Sequence, residues 1–470
     1  MKKIHFIGIC GAGMSAVAMM LKDLGWEVTG SDGSFYPPVS TYLENSGIRF
    51  FKGYRRENIP AGAEMFVIGK HAKLTPHENE EVRAAFETGL PIKSFAEVLG
   101  ELSKDKENIV VAGSHGKSTC AALLAWCLKR AGKNPSYFIG AIPATPGKSS
   151  NVGRGNLFVL EGDEYPASNW DARSKFLHYR PAHVLLTSLA HDHLNVFKTV
   201  ADYRAPFKKL INLLPASSII AACADGDGVR ETLADLNREA TLYGLNEKAG
   251  WHIENPAYSE ISSFDIANQN KKIVRIETEL LGTHNMENIL GAAALLFTLN
   301  LVTPEQFAQA VAGFQPIQRR LDKKSEKTRI PVYEGFGSSG DKARAAISAI
   351  RTHYPNRKLM VLFEPHAFSW RDRQSLPWYD DVFAGTDKVL IYKPPENSTD
   401  QKQLSLDEIV ERVRGANIDA AGFESAAIGL EFLDQSLDEN CAVLILSSGG
   451  FDGIIEGAVN LLEQKFQNQR

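Results

Sequence analysis

Short apolar runs closed by glycine or proline alternate with longer stretches of helical period along the chain. Residues 3–7 are one such run, ending at Gly8. A helical stretch follows from about Ser15 to Leu24, and Gly25 stops it. A second apolar run, Glu27 to Gly30, leads into Ser31-Asp32. Tyr36-Pro37-Pro38-Val39-Ser40 predicts a loop before a helix near Thr41–Asn45. A strand is expected over Met65–Gly69, a helix over Glu78–Thr88, and a last short strand at Pro91-Ile-Lys-Ser. Ile109 to Ala112 again reads as a buried strand. The helix after it, Ser118 to Arg130, sets Ala121, Leu124, Ala125 and Leu128 on one face, with Gly132 just beyond its end. Strands are predicted at Leu157–Leu160 and Ala182–Thr187, and residues 216–280 read as short strands punctuated by proline and glycine. An alanine-rich helix, Ile289 to Leu299, comes next. Beyond Phe314, strands at Pro331–Tyr333, Leu359–Phe363, Lys388–Tyr392 and Ala442–Leu446 alternate with helices at Lys342–Thr352, Leu406–Arg414 and Ala426–Leu437. Lys323 to Arg329 reads as a charged loop. Strand–helix alternation of this kind predicts an α/β protein with open, mostly parallel sheets.

At 470 residues the chain exceeds what one core supports. The polar stretch Ser103–Glu107 and the change of pattern after Phe314 divide it into domains at 1–105, 106–313 and 314–470. A 44% apolar, 23% charged composition is that of a globular protein, and a net charge of −4 argues against a nucleic-acid binder. Five scattered cysteines lack paired metal spacing and predict a reducing compartment. Met-Lys-Lys-Ile-His-Phe-Ile-Gly enters a strand without a signal-peptide core, and no apolar run reaches about 18 residues. The expectation is a cytoplasmic protein with no membrane partner.

The chemistry concentrates at strand ends. Gly113-Ser114-His115-Gly116-Lys117-Ser118-Thr119 lies between a strand and a helix. Glycines admit backbone N–H groups to phosphate oxygens, the helix start adds positive potential, Lys117 neutralises phosphate charge, and a hydroxyl can reach Mg²⁺. The spacing is two residues shorter than the commonest P-loop. Glu161-Gly-Asp163-Glu164-Tyr165 and His191-Asp192-His193 end two further strands, where parallel sheets bind ligands. A carboxylate, an imidazole and a loop hydroxyl are credible ligands for Mg²⁺ or Mn²⁺. Taken singly, the acidic run also reads as a solvated turn and Asp192-His193 as a capping pair. Gly8-Ile-Cys-Gly11-Ala12-Gly13-Met14-Ser15, with Asp32 some twenty residues on, is a βαβ turn that binds a nucleotide pyrophosphate or simply connects a strand to a helix. Cys10 at the place of the second fingerprint glycine discounts a nicotinamide cofactor. His284-Asn285-Met-Glu-Asn288 opens a helix, and its amides either cap it or read an adenine edge; spacing alone favours the cap.

These motifs, with Arg319-Arg320, occur in the order of the Mur ligases of peptidoglycan synthesis, and the resemblance covers nearly the whole chain. It is nearest to the recycling branch, which joins UDP-N-acetylmuramate to L-alanyl-γ-D-glutamyl-meso-diaminopimelate. Ser31-Asp-Gly-Ser-Phe-Tyr-Pro-Pro-Val-Ser, Asp171-Ala-Arg-Ser-Lys-Phe-Leu-His-Tyr and Ser447-Ser-Gly-Gly-Phe-Asp-Gly point to that branch; the L-alanine-adding branch is the alternative. The resemblance implies an N-terminal Rossmann-like domain holding UDP through Gly8, Gly11, Ala12, Gly13, Met14, Ser15, Ser31 and Asp32. It implies a central P-loop ATPase domain holding Mg-ATP at the 113–119 loop, with Ser118, Glu161 and His193 at the metal and His284, Asn285 and Asn288 toward adenine. Arg320 would meet the terminal phosphate. A C-terminal Rossmann-like domain would present the amine, with His366, Arg371 and Arg373 as candidates to grip peptide carboxylates or, equally, to form surface ion pairs. The implied activity is an ADP-producing amide ligation through an acyl phosphate, by a monomer or homodimer.

Several Mur ligases carry a carbamylated lysine after the Asp-His motif; here that position reads as Phe207, with Lys208 and Lys209 adjacent. The family's Asp-Asp-Phe/Tyr-Ala/Gly-His-His-Pro is replaced by Glu334-Gly335-Phe336-Gly337-Ser338-Ser339-Gly340, and Ala190 replaces an acid that often precedes Asp192-His193. These departures leave a second class of reading: a UDP-sugar-peptide binding or sensor protein that has lost ligation. Lys117, Ser118, Glu161 and His193, all in place, favour the enzyme.

Overall fold

The structure, a computed structural model, describes residues 2–35, 39–193, 196–245, 249–315, 317–395 and 403–468. The expected loop at 36–38 lies outside these residues. The chain forms three sheets and divides into two compact units.

The first unit holds two of the sheets. One has five parallel strands in the order Arg49–Lys52, Glu27–Asp32, Lys3–Ile7, Met65–Ile68, Ile92–Lys93. Its central strand buries Ile4, Phe6 and Ile7 completely, which is why that run reads as continuously apolar. The helix after Gly8 starts earlier than the periodicity suggests, at Ala12, and runs to Asp23. Below the sheet's carboxyl edge the buried Glu81 carboxylate is fully satisfied. His5 Nε2 lies 2.7 Å away, Ser31 Oγ donates at 2.7 Å, and the Arg55 amide and Asn58 Nδ2 each donate at 2.8 Å. A buried carboxylate with all its lone pairs engaged is tolerable where an unpaired one would not be.

A helix at Phe95–Leu102 has no counterpart in the periodicity reading. Its signal is local, a capping box in which Ser94 and Glu97 exchange side-chain and backbone hydrogen bonds. The other sheet of this unit has ten strands. Its parallel centre runs Thr241–Tyr243, Ile220–Cys223, His183–Leu186, Glu107–Ala112, Leu157–Glu161, Ser136–Phe138. Glu107–Ala112 is flanked on both sides and buries Ile109 to Ala112 completely.

The second unit carries a six-stranded sheet in the order Arg320–Lys323, Val332–Gly335, Cys441–Leu446, Lys358–Phe363, Lys388–Tyr392, Asp419–Phe423. All neighbours are parallel except the first pair. The expected loop beginning at Lys323 therefore needs correction: Lys323 ends a bulged edge strand, with Leu321 at φ 55°. Charge hides this strand from a hydropathy reading. Lys323 is paired with Glu260 and Glu326, and Lys324 Nζ with Glu334 at 2.7 Å. A final helix, Ile454–Lys465, also escapes the sequence reading. Among the described residues no helix is long and apolar enough to cross a membrane.

Candidate active site

The strand Glu107–Ala112 delivers residues 113–116 to the carboxyl edge of the ten-stranded sheet, between the ends of His183–Leu186 and Leu157–Glu161. The loop is tied down from the first of these neighbours. The Ser114 amide donates to Ser188 O at 2.7 Å, Ser114 Oγ to Ala190 O at 2.6 Å, and Thr187 Oγ1 to His115 O at 2.6 Å. Two glycines make the turn possible. Gly113 has φ 138° and Gly116 φ 78°. A Cβ on Gly113 would lie 2.1 Å from Thr187 Oγ1, and one on Gly116 2.4 Å from Asn288 Oδ1. The space a side chain would fill is already taken, so the backbone is left bare, as a phosphate cradle requires. The helix Lys117–Arg130 begins immediately, with Gly116 as its N-cap.

Lys117 and Ser118 then turn to different acids. Ser118 Oγ donates to Glu161 Oε1 at 2.8 Å, and Glu161 Oε2 accepts the Gly140 amide at 2.7 Å. Lys117 Nζ donates to Gly113 O at 2.5 Å and to Glu164 Oε2 at 3.0 Å. Glu164 is fully buried and serves as a hub. His193 Nε2 lies 3.2 Å from its Oε1, and Tyr203 OH donates to the same oxygen at 3.3 Å and to Ser114 Oγ at 2.9 Å. Burial pushes the Tyr203 phenol upward, and Glu164's charge adds to this, so Tyr203 is a neutral donor. His193 itself sits at φ 59°, held by its own amide on Asp192 Oδ1 at 2.7 Å, with Nδ1 3.2 Å from Tyr165 OH. Thus Lys117, Ser118, Glu161 and His193 gather around one loop. Glu164 and Tyr203 complete the group. Glu164 stands within the acidic motif at a position to which spacing assigns no role, and spacing does not single out Tyr203.

The donor set suits a polyphosphate with a hard divalent cation: one carboxylate and one hydroxyl 2.8 Å apart, with an imidazole nearby. Among the described residues no cluster of three or more His, Cys, Asp or Glu is arranged to hold a metal ion. Phosphate oxygens and water are the ligands that such a sparse set leaves room for. Phe207 is buried in the helix Val200–Asn212, while Lys208 pairs with Asp235 at 2.6 Å.

Asn288 is buried against the loop, its Oδ1 3.3 Å from Cys120 Sγ. Asn285, inside the helix Thr283–Thr298, donates Nδ2 to Leu281 O at 2.8 Å, and His284 is exposed.

In the first sheet, Gly8 has φ 87°, and its amide and that of Ile9 both donate to Ser31 O. Gly11 and Ala12 are exposed at the helix start, whereas Met14 and Ser15 are buried and Ser15 Oγ donates to Ala12 O at 3.0 Å. Ser31 Oγ is committed to Glu81, so Asp32 is the acid left at the edge. Asp32 Oδ2 accepts the Cys10 amide at 2.8 Å and Oδ1 the Gly33 amide at 2.7 Å. Burial, reinforced by Asp32, raises the Cys10 thiol to about 12.

In the second unit Arg320 is exposed, and its neighbour Arg319 is the structured one. Arg319 Nε donates to Glu334 Oε1 at 2.7 Å and its Nη2 to Gly449 O at 2.8 Å. Gly335 is buried, and a Cβ there would lie 2.9 Å from Leu446 Cδ2. Ser338 Oγ accepts from Lys342 at 3.1 Å, and Ser339 precedes the helix Gly340–His353. His366 is exposed beside Glu364 at 3.5 Å. Arg373 pairs with Glu408 at 2.7 Å on the surface, and the buried Arg371 Nε has no partner among the described residues.

Residues 3–107 match the family model described as Mur ligase family, catalytic domain, and residues 111–296 the Mur ligase middle domain. The chain is 28% identical over 467 residues to the UDP-N-acetylmuramate–L-alanyl-γ-D-glutamyl-meso-2,6-diaminoheptandioate ligase of Haemophilus influenzae, covering 99% of this chain and 100% of that one. It is 30% identical over 452 residues to the UDP-N-acetylmuramate–L-alanine ligase of Endomicrobium trichonymphae, covering 95% and 96%. Among solved structures, the UDP-N-acetylmuramate–alanine ligase of Thermotoga maritima superposes with a TM-score of 0.78 at 22% identity over 98% of this chain and 99% of that one. The UDP-N-acetylmuramate:L-alanyl-γ-D-glutamyl-meso-diaminopimelate ligase of Neisseria meningitides does so with a TM-score of 0.61 at 31% identity, over 68% of this chain and all of that one.

Proposed function

The chain belongs to the Mur ligase family, and from that premise we propose that it joins the carboxylate of UDP-N-acetylmuramate to the amine of L-alanyl-γ-D-glutamyl-meso-diaminopimelate at the expense of ATP. The observation that carries the reading is the gathering of Lys117, Ser118, Glu161 and His193 around a bare glycine loop. ATP with Mg²⁺ supplies the phosphoryl group that turns a carboxylate, whose oxide is a poor leaving group, into an acyl phosphate. The chain's residues position and neutralise. Amides at the start of Lys117–Arg130 and the Lys117 ammonium hold phosphate oxygens. Ser118, Glu161 and His193 are the side chains that would hold the metal, and Asn288, packed on Gly116, would meet the nucleotide. Glu164 fixes both Lys117 and His193 before any ligand arrives. In the first sheet, the exposed glycine turn and Asp32 would hold the diphosphate and ribose or base of the sugar nucleotide. We assign the boundaries 1–105, 106–313 and 314–470 to its UDP, ATP and amine domains.

L-Alanine ligases are as similar in sequence as tripeptide ligases, so the amine is the point to test. Offered L-alanine, L-alanyl-γ-D-glutamate and the tripeptide at equal concentration, the protein is expected to convert UDP-N-acetylmuramate to the tripeptide product. Mass spectrometry of the UDP-containing products reads the outcome. Preferential appearance of the L-alanine adduct would assign the chain to the alanine-adding branch instead.

A further inference from the structure

A line of side chains runs from the glycine turn of the first sheet to His193 at the edge of the second. Phe95 packs on the turn: a Cβ on Gly13 would lie 2.7 Å from its Cζ. Lys175 Nζ stands 5.3 Å from the Phe95 ring centroid and 5.7 Å from that of Tyr165. Lys70, in the loop after Met65–Ile68, places its Nζ 5.9 Å from the same Tyr165 ring. Tyr165 reaches His193 through its hydroxyl at 3.2 Å, with the two rings 4.5 Å apart. Two cations therefore share one aromatic ring that adjoins His193.

They differ in how they are balanced. Lys175 is paired with Asp163 at 2.5 Å. Burial alone would raise the Asp163 carboxyl, but Lys175's charge and hydrogen bond, with the Tyr165 amide and Lys117, hold it below its usual value. Lys70 is exposed and has no carboxylate within ion-pair distance among the described residues; desolvation and then the charge of Lys175 lower its pKa, against the opposing pull of Asp163. Lys70 and Lys175 together carry one positive charge more than Asp163 balances.

Resting on the ligase reading, we propose that Lys70, with Lys175 behind it, receives the carboxylate of the sugar nucleotide and holds it beside His193. The diphosphate of the same molecule has its own holder in the amides of Ala12 and Gly13 at the helix start, where Phe95 packs on the turn. The excess cation is thus left for the acid at the other end of the sugar. A lysine there keeps the carboxylate ionised, and so nucleophilic, next to the phosphates.

Calorimetric titration of the full chain with UDP-N-acetylmuramate and with UDP-N-acetylglucosamine, which lacks the carboxylate, tests this. The wild-type protein is expected to prefer the acid by about tenfold, the size of one charge-assisted hydrogen bond. Lys70→Met is expected to lose that preference while binding UDP-N-acetylglucosamine as before, and Lys70→Arg to keep most of it. Preference retained in Lys70→Met, or equal binding of both sugar nucleotides by the wild type, overturns the carboxylate cradle and leaves the ligase reading intact. Failure of the wild type to bind either sugar nucleotide contradicts that reading, and the cradle with it.

Discussion

Replacing Lys117 by methionine is expected to lower the rate of ADP release by about a thousandfold or more, because the charge that meets the transferred phosphoryl group is gone. The same substitution also disturbs the fold, and the two effects can be separated. Lys117 is 14% exposed and its partner Glu164 is fully buried. Removing the cation leaves that carboxylate with only His193 and Tyr203. Breaking a buried pair typically costs about 3–5 kcal/mol, and the partial exposure of Lys117 with Glu164's remaining donors brings the figure toward about 1–3 kcal/mol. A double variant, Lys117→Met with Glu164→Gln, removes the stranded charge. Denaturant unfolding should show the double variant recovering most of the lost stability while turnover stays at the single variant's level. Recovery of activity in the double variant would mean that Lys117 acts only by balancing Glu164.

Gly113→Ala is expected to cost about 2–4 kcal/mol of stability and to abolish nucleotide binding. At φ 138° the backbone is in a region that side chains rarely adopt. The added methyl would also lie 2.1 Å from Thr187 Oγ1 and 2.8 Å from the Ser188 amide nitrogen and carbonyl oxygen. Thr187 cannot yield without releasing His115 O, so relief of the clash dismantles the loop. Gly132→Ala is the control. It has φ 74° and open space around the new methyl, so it carries the conformational cost alone, about 1–2 kcal/mol. Equal unfolding midpoints for the two variants would show that the packing at Gly113 carries no weight.

The contrast between these two glycines also shows what a linear reading reaches. Gly113 and Gly116 were recognisable as loop glycines because a buried strand precedes them and a helix follows. Strand ends carrying Glu161 and His193 were recognisable for the same reason, since parallel sheets collect chemistry at one edge. Glu164 was not, because its role comes from Lys117, His193 and Tyr203, three segments that only the fold brings to one carboxylate. Ser31 was expected among the nucleotide's contacts, yet its hydroxyl is drawn inward by Glu81, fifty residues away in sequence. The helix Phe95–Leu102 was available in the capping pattern of Ser94 and Glu97 but short for a periodicity argument. The edge strand Arg49–Lys52 is half charged and Arg320–Lys323 is charged at all but Leu321, so neither carries an apolar run long enough to detect.

Ligation requires that phosphate release from ATP be coupled to both other substrates. Steady-state ADP production by the full chain, with UDP-N-acetylmuramate and the tripeptide supplied separately and together, measures that coupling directly. Sustained ADP release is expected only when both are present, in step with one amide product per ADP. Tight binding of the sugar nucleotide with no ADP formed under any combination would contradict it and mark the chain as a binding protein built on a ligase fold.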